Sequence, residues 1–273
     1  MILLDKKDFY KVIESIKSVA FNNLFARSVV ECKVSGKIYV DNIKNPKTYY
    51  VIHPYGMTLL FGDWNNHEFN NKFKNYALNL NNIRAKNEWM QVFPNEWNDV
   101  LLKLFNNSIV KSENKINETE IIELNTRVNF KFNHSKYMII EENTNPCIEI
   151  VRIDKDIYEN MPGTVVPKYF WDNKEDFLKN GIGFSLIYNS QLAATAFSSY
   201  IHENKLEMGI ETVGNFRKMG FAEKVCCALI NYCIENNYEP VWSCRLQNTG
   251  SYKLAKKIGF DPILELPYYV MNV

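Results

Sequence analysis

At 273 residues the chain is long for one compact domain and comfortable for two. Apolar residues make up 46% and charged residues 23%, which excludes disorder as its general state. The 32 basic and 31 acidic side chains leave a formal net charge of +1, so nothing favours duplex nucleic acid or an anionic membrane as the main partner.

Phe9, Val12, Ile13, Ile16, Val19 and Ala20 fall at helical spacing and predict an amphipathic helix over 8–25. Strands are expected at 37–40, 49–52 and 57–61, the last broken by Gly62-Asp63. Helices are expected around 66–80 and 95–106, with Asn95 as a candidate cap for the second. The polar stretch 106–120 reads as a loop or helix end. Residues 127–132 alternate like a strand, and a domain boundary falls in 130–146, giving domains 1–135 and 136–273.

The second half has a clearer rhythm. A strand over 147–153 precedes a helix-rich segment carrying Phe170, Trp171, Phe177 and Leu178. Runs at 183–188, 191–200 and 205–212, joined by Asn189-Ser190 and His202-Glu203-Asn204, predict an antiparallel meander. Ala222, Val225, Cys226, Leu229, Ile230 and Cys233 then repeat at three and four residues, a helix over 220–236. Residues 240–244 read as a buried strand, 248–258 as a second helix and 263–270 as a last strand. The expected class is α/β (α+β), a mixed and mostly antiparallel sheet flanked by helices, with a second N-terminal α/β domain. No repeat of 20–50 residues with shared motifs is visible.

The six cysteines form no CxxC pair and have no His at ligand spacing, so no metal site is expected; Cys226, Cys227 and Cys233 read as buried apolar residues of one helix. Met1–Lys6 lacks a basic region followed by an apolar one, and no apolar run approaches ~18 residues. A cytoplasmic location is expected.

Chemistry concentrates at the join between the strand ending at Thr212 and the helix beginning near Gly220. The first amides of a helix have no partner within it and sit at the positive end of its dipole, a ready site for phosphate. Gly220 lets backbone approach a pyrophosphate, Ala222 keeps the first turn small, and Arg217 and Lys218 add charge. Arg217-Lys218-Met219-Gly220-Phe221-Ala222 resembles the acyl-CoA pyrophosphate loop of the GNAT superfamily, Gln/Arg-x-x-Gly-x-Gly/Ala. Leu206–Thr212 is similar to that family's central strand. Asn248-Thr249-Gly250-Ser251-Tyr252-Lys253-Leu254-Ala255-Lys256-Lys257-Ile258-Gly259-Phe260 resembles its second signature, Asn-x-x-Ser-x-x-Leu-Ala-x-x-x-Gly-Phe. The resemblance covers about 180–273, and the chain length is similar to that of a two-domain bacterial subgroup whose N-terminal half looks like a degenerate companion domain.

The resemblance implies an N-acetyltransferase that moves an acetyl group from acetyl-CoA, as co-substrate, to the amine of a small molecule. The pantetheine arm would lie between the strands holding 206–212 and 240–245, pairing with backbone groups near Ile210 and Thr212. The pyrophosphate would rest on Arg217, Lys218, Met219, Gly220, Phe221 and Ala222. Asn248 would bond the pantetheine while capping its helix, with Ser251 one turn later. An attacking amine needs a base or a water path. Glu211 and Glu207 are the catalytic candidates, in that order, because alternation puts 207, 209 and 211 on one face. The family's usual general-acid tyrosine is replaced by Ala255. Tyr252 is turned about 60° away on the same helix, and Tyr268 and Tyr269 are the remaining candidates. A non-catalytic acyl-CoA-binding or interaction module is the alternative. Nucleic acid and membrane are not expected partners, and the oligomeric state is left open, a homodimer included.

Overall fold

In this computed structural model, residues 1–80, 82–111, 121–137 and 145–273 are described. Part of the predicted loop 106–120 and part of the boundary region 130–146 lie outside them. The chain forms two compact units: residues 1–128, 245–247 and 265–273 make the first, and 129–244 and 248–264 the second. A division at 135/136 differs from this, because 129–135 belong to the second unit and two later segments return to the first.

The first unit begins with β1 (Ile2–Leu3), a 3-10 turn at Lys6–Val12, and helices α1 (Ile13–Ile16) and α2 (Leu24–Val30). The single helix predicted over 8–25 is therefore interrupted. Local side chains compete for its backbone: Ser18 Oγ donates to the Ser15 carbonyl, Asn23 Nδ2 to the Val19 carbonyl, and Asn22 Oδ1 accepts the Leu24 N–H. Strands β2 (Lys37–Val40), β3 (Thr48–Ile52) and β4 (Met57–Gly62) fall where strands are expected, and they pair as an antiparallel meander. Helix α3 (His67–Ala77) then crosses to β5 (Glu88–Phe93), which pairs in parallel with β4 at five positions, Met57↔Trp89 to Phe61↔Phe93. Helix α4 (Glu96–Phe105), β6 (Ile109–Lys111) and β7 (Ile122–Phe132) follow. Asn95 does not cap α4; its Oδ1 accepts from Asn98 Nδ2, whereas Asn66 caps α3 by accepting the Phe69 N–H. Tyr50, Phe73, Met90, Trp97 and Tyr269 lie in this unit's core.

Glu88 is buried in that core and accepts hydrogen bonds from the hydroxyls of Tyr50 and Tyr76. Burial pushes its carboxyl above the ordinary glutamate range, against the opposing pull of the two hydroxyls and of Arg84 and Lys86. A folded-state pKa above the unfolded value means the native state holds the proton more tightly. This contribution is complete below about pH 4 and is lost as pH rises through the raised value; each tenfold difference in proton affinity between the two states is worth about 1.4 kcal/mol. Glu88→Gln is thus expected to gain stability relative to wild type between pH 4 and 7. Urea midpoints of both proteins at the two pH values check this; a constant difference contradicts it.

The second unit contains β8 (Ile148–Arg152), α5 (Lys155–Asn160), α6 (Lys174–Asn180), β9 (Gly183–Tyr188), β10 (Gln191–His202) and β11 (Lys205–Thr212). After these come α7 (Phe221–Glu235), β12 (Glu239–Arg245), α8 (Thr249–Lys257) and β13 (Phe260–Met271), whose last residues belong to the first unit. Its strands run in the order β8-β9-β10-β11-β12, antiparallel except for the parallel pair β11–β12. Amphipathic α7 buries Val225, Cys226, Leu229, Ile230 and Cys233, five of the six residues its periodicity selected; the sixth, Ala222 in the first turn, is half-buried.

Each unit thus repeats one order of elements: meander, crossing helix, parallel strand, second helix. The sequence shows no matching motif, because what the halves share is strand pairing, which tolerates many side chains. The chain is α/β, with mixed and mostly antiparallel strands flanked by helices and a second N-terminal α/β unit.

Candidate functional site

The site region lies where β11 and β12 part. Their parallel register covers Lys205↔Glu239, Leu206↔Pro240 and Glu207↔Val241, while β11 runs on to Thr212 and β12 to Arg245. Ile210 and Thr212 fall in this unregistered part of β11. The β4–β5 pair of the first unit keeps its register over five positions.

Beyond Thr212 the chain makes a 3-10 turn at Gly214–Phe216 and reaches α7 through Arg217, Lys218 and Met219, all exposed. Gly220 takes φ +80° at the helix cap, has no side chain to cap with, and faces open space where a Cβ would stand. The first backbone bond of α7 runs from the Lys224 N–H to the Gly220 carbonyl (3.4 Å). Among the described residues, the amides of Phe221, Ala222 and Glu223 make no such bond, so the N-terminal end of a four-turn helix is offered outward. Phe216 and Phe221 pack with Tyr188, ring centroids 5.0–6.3 Å apart, and brace the loop from beneath. The corresponding turn of the first unit differs. There the Asn66 side chain caps α3 by accepting the Phe69 N–H, whereas α7 has no side-chain cap; both helices carry an acidic residue in the first turn, Glu68 and Glu223, and Glu223 is paired with Lys257.

Helix α8 is capped by Asn248, whose Oδ1 accepts the Ser251 N–H at 3.2 Å. Ser251 Oγ accepts the indole N–H of buried Trp242 at 3.2 Å, tying α8 to β12. Ala255, at the position of the family's usual tyrosine, is fully buried. Tyr252 packs edge-on against Phe130. Tyr269 is buried in the first unit, donating its hydroxyl to Asn98 Oδ1 at 2.7 Å, and burial pushes its pKa up. Tyr268 lies under the Arg127 guanidinium in the same unit. Neither is a free acid.

Glu207 and Glu211 share a face of β11 with Gly209, as alternation requires. Their partners on β10 are Tyr200, Phe197 and Thr195. A bulge between Ser198 and Tyr200 brings Phe197 and Tyr200 to the same face, where Phe170 packs against both at 5.4 and 5.7 Å. The segment 161–171 therefore covers this face, and the two carboxylates differ. Glu207, 4% exposed, accepts from the Ser243 hydroxyl (2.9 Å) just where the strands diverge. Glu211 Oε2 accepts the N–H groups of Thr164 and Val165, each at 3.0 Å, and Oε1 lies 3.8 Å from Arg217 Nη2.

Sequence reasoning missed Ser243 and the loop 163–165. Alternation along β12 puts Ser243 on the face of Val241, but pairing Val241 with Glu207 requires the strand register. Pro162-Gly163 marks a turn without revealing what it meets. Ser198 and Ser199 are buried; Ser198 Oγ accepts the Ile182 N–H and Ser199 Oγ donates to the Glu207 carbonyl. Among the described residues, no group of three His, Cys, Asp or Glu side chains is arranged to hold a metal ion, and no helix is long and apolar enough to cross a membrane.

A meander whose last strand parts from its parallel neighbour beside an uncapped helix start defines an acyltransferase fold of the GNAT type. The chain belongs to the GNAT acetyltransferase family, which matches it over residues 15–269. It is 23% identical over 265 residues to YdfB, an uncharacterized N-acetyltransferase of Bacillus subtilis (strain 168), covering 96% of each chain. Its fold is similar to that of a GCN5-related N-acetyltransferase-like protein from Streptococcus suis 89/1591, with a TM-score of 0.71, 17% identity, and 96% and 98% of the two chains covered. A tandem GNAT protein from the clavulanic acid biosynthesis pathway matches with a TM-score of 0.63 at 5% identity, over 99% and 98% of the chains.

Proposed function

We propose that the protein transfers an acetyl group from acetyl-CoA to the amine of a small molecule. The observation that carries this is the parting of β11 from β12 after Glu207↔Val241, directly before the uncapped N-terminus of α7. The pantetheine arm fits along β11, where backbone groups of Ile210 and Thr212 serve it as a neighbouring strand would. The pyrophosphate fits on 217–222, held by amides, the helix dipole and the charges of Arg217 and Lys218. Asn248 is assigned to the pantetheine at the cap of α8, with Ser251 supporting it through Trp242.

The amine nitrogen attacks the thioester carbon, whose oxygen is polarised by an N–H of β11. The new C–N bond forms, the C–S bond breaks, and the electron pair leaves with sulfur. A thiol pKa near 8.5 makes the thiolate a fair leaving group, so solvent serves to protonate it in place of the tyrosine that Ala255 replaces. We assign the base to Glu207, which takes the amine's proton directly or through water at the divergence of the strands. A compact acceptor suits a site whose carboxylate face is covered by 161–171.

Calorimetric titration with acetyl-CoA, followed by an amine panel read by free-thiol release, tests the reading. No binding at ~1 mM, about 4 kcal/mol of affinity, sinks it. Because β4 and β5 stay in register and α3 is capped by Asn66, the titration is expected to saturate at one acetyl-CoA per chain; two equivalents would contradict this. Ala255 favours a second reading, an acyl-CoA-binding protein without turnover, which saturable binding with no thiol release across the panel would support.

A further inference from the structure

We propose that Glu211 is a positioning residue whose carboxylate staples the loop 163–165 to the end of β11 and so builds the wall of the acceptor side. The inference rests on the acyl-CoA reading above. In that reading the thioester lies along the last residues of β11, so whatever is fastened there flanks the approach of the amine.

Three observations converge on the staple. One oxygen of Glu211 accepts two successive amides, those of Thr164 and Val165, at 3.0 Å each. The loop backbone also passes directly against the Glu211 stem: Gly163 has φ +118°, and a Cβ there would stand 2.5 Å from Glu211 Cγ and 2.7 Å from its Cδ. The flanks of the loop are fixed as well, since Met161 and Val166 are buried, which leaves its middle to be held by this one carboxylate. The second oxygen faces Arg217 of the cofactor loop across 3.8 Å. Glu211 thus stands between both substrates, with its side chain only 14% exposed and one oxygen filled by amides. A general base needs its oxygen at the reacting amine; this oxygen is occupied by backbone. The same bonds make it an effective clamp, because a carboxylate accepts charge-assisted bonds from amides at full strength.

The two roles separate cleanly by substitution. In Glu211→Gln the side-chain carbonyl can still accept both amides, while a base would be destroyed. Glu211→Ala removes the staple, and Gly163→Ala pushes the loop away with Glu211 intact. With the amine giving the fastest thiol release in the panel, Glu211→Ala and Gly163→Ala are expected to raise the acceptor KM about 10-fold or more, with kcat and acetyl-CoA affinity within about threefold of wild type. Glu211→Gln should raise KM about threefold and keep the wild-type pH profile. Hydrogen exchange at Thr164 and Val165 should quicken at least about 10-fold in Glu211→Ala but not in Glu211→Gln. If Glu211→Gln loses kcat about 100-fold together with its pH dependence, Glu211 is the base and the proposal is overturned. Unchanged exchange in Glu211→Ala overturns it also. Failure of the wild-type chain to bind acetyl-CoA sinks the underlying reading, and the acceptor role with it, even where the exchange result holds.

Discussion

Replacing Arg217 by Glu and Gly220 by Asp together is expected to weaken acetyl-CoA binding at least about 100-fold, equivalent to about 2.7 kcal/mol. Hydrogen bonds to charged groups contribute about 1.5–3 kcal/mol each, and the double change both removes such a contact and sets two carboxylates against the phosphates. The fold should survive. Arg217 is 67% exposed and its contact with Glu211 spans 3.8 Å, which places it among ion pairs of little net worth. At Gly220 a Cβ meets nothing within 4 Å, and Asp is among the few residues that tolerate its positive φ, at about 1–2 kcal/mol. Isothermal titration calorimetry alongside a thermal melt checks both halves. A well-folded double variant with wild-type affinity would show that the phosphates do not rest on this loop.

Glu207→Gln is expected to lower kcat about 10²- to 10⁴-fold while leaving the acetyl-CoA Kd within about threefold. The amide matches the carboxylate in shape and can still accept the Ser243 hydroxyl, so packing at the β11–β12 divergence should be kept. What is lost is the capacity to take a proton. The dependence of kcat/KM on an ionised enzyme base should vanish with it. Ser243→Ala removes the hydroxyl that orients the carboxylate and should cost less, about 10-fold. Steady-state kinetics across pH, with cofactor affinity measured separately, decide the matter; retention of kcat in Glu207→Gln would return the base assignment to solvent.

Elements governed by local chemistry were legible. The meander turns at Asn189-Ser190 and Glu203, all at positive φ, and the helix α7 with its three buried cysteines follow from turn residues and a 3.6-residue period. Elements governed by context were not. The helix predicted over 8–25 yields to Ser and Asn side chains that take its backbone bonds, and β5 hides its strand character because Glu88 and Gln91 are buried. Asn95 and Asn66 look alike as caps, yet only the backbone conformation around Asn66 lets its oxygen reach an amide.

The same division runs through the site. By itself the sequence determined the helix start at Gly220, the cap at Asn248 and the placing of Glu207 and Glu211 on one face of one strand. Each depends on residues a few positions apart. What each carboxylate meets was decided only by tertiary structure. Glu207 meets Ser243 through a parallel register set by a crossing helix, and Glu211 meets Thr164 and Val165 from 47 and 46 residues away. Alternation gives two acids on one strand the same address, and only the groups that the fold brings against them make one a candidate base and the other a candidate clamp.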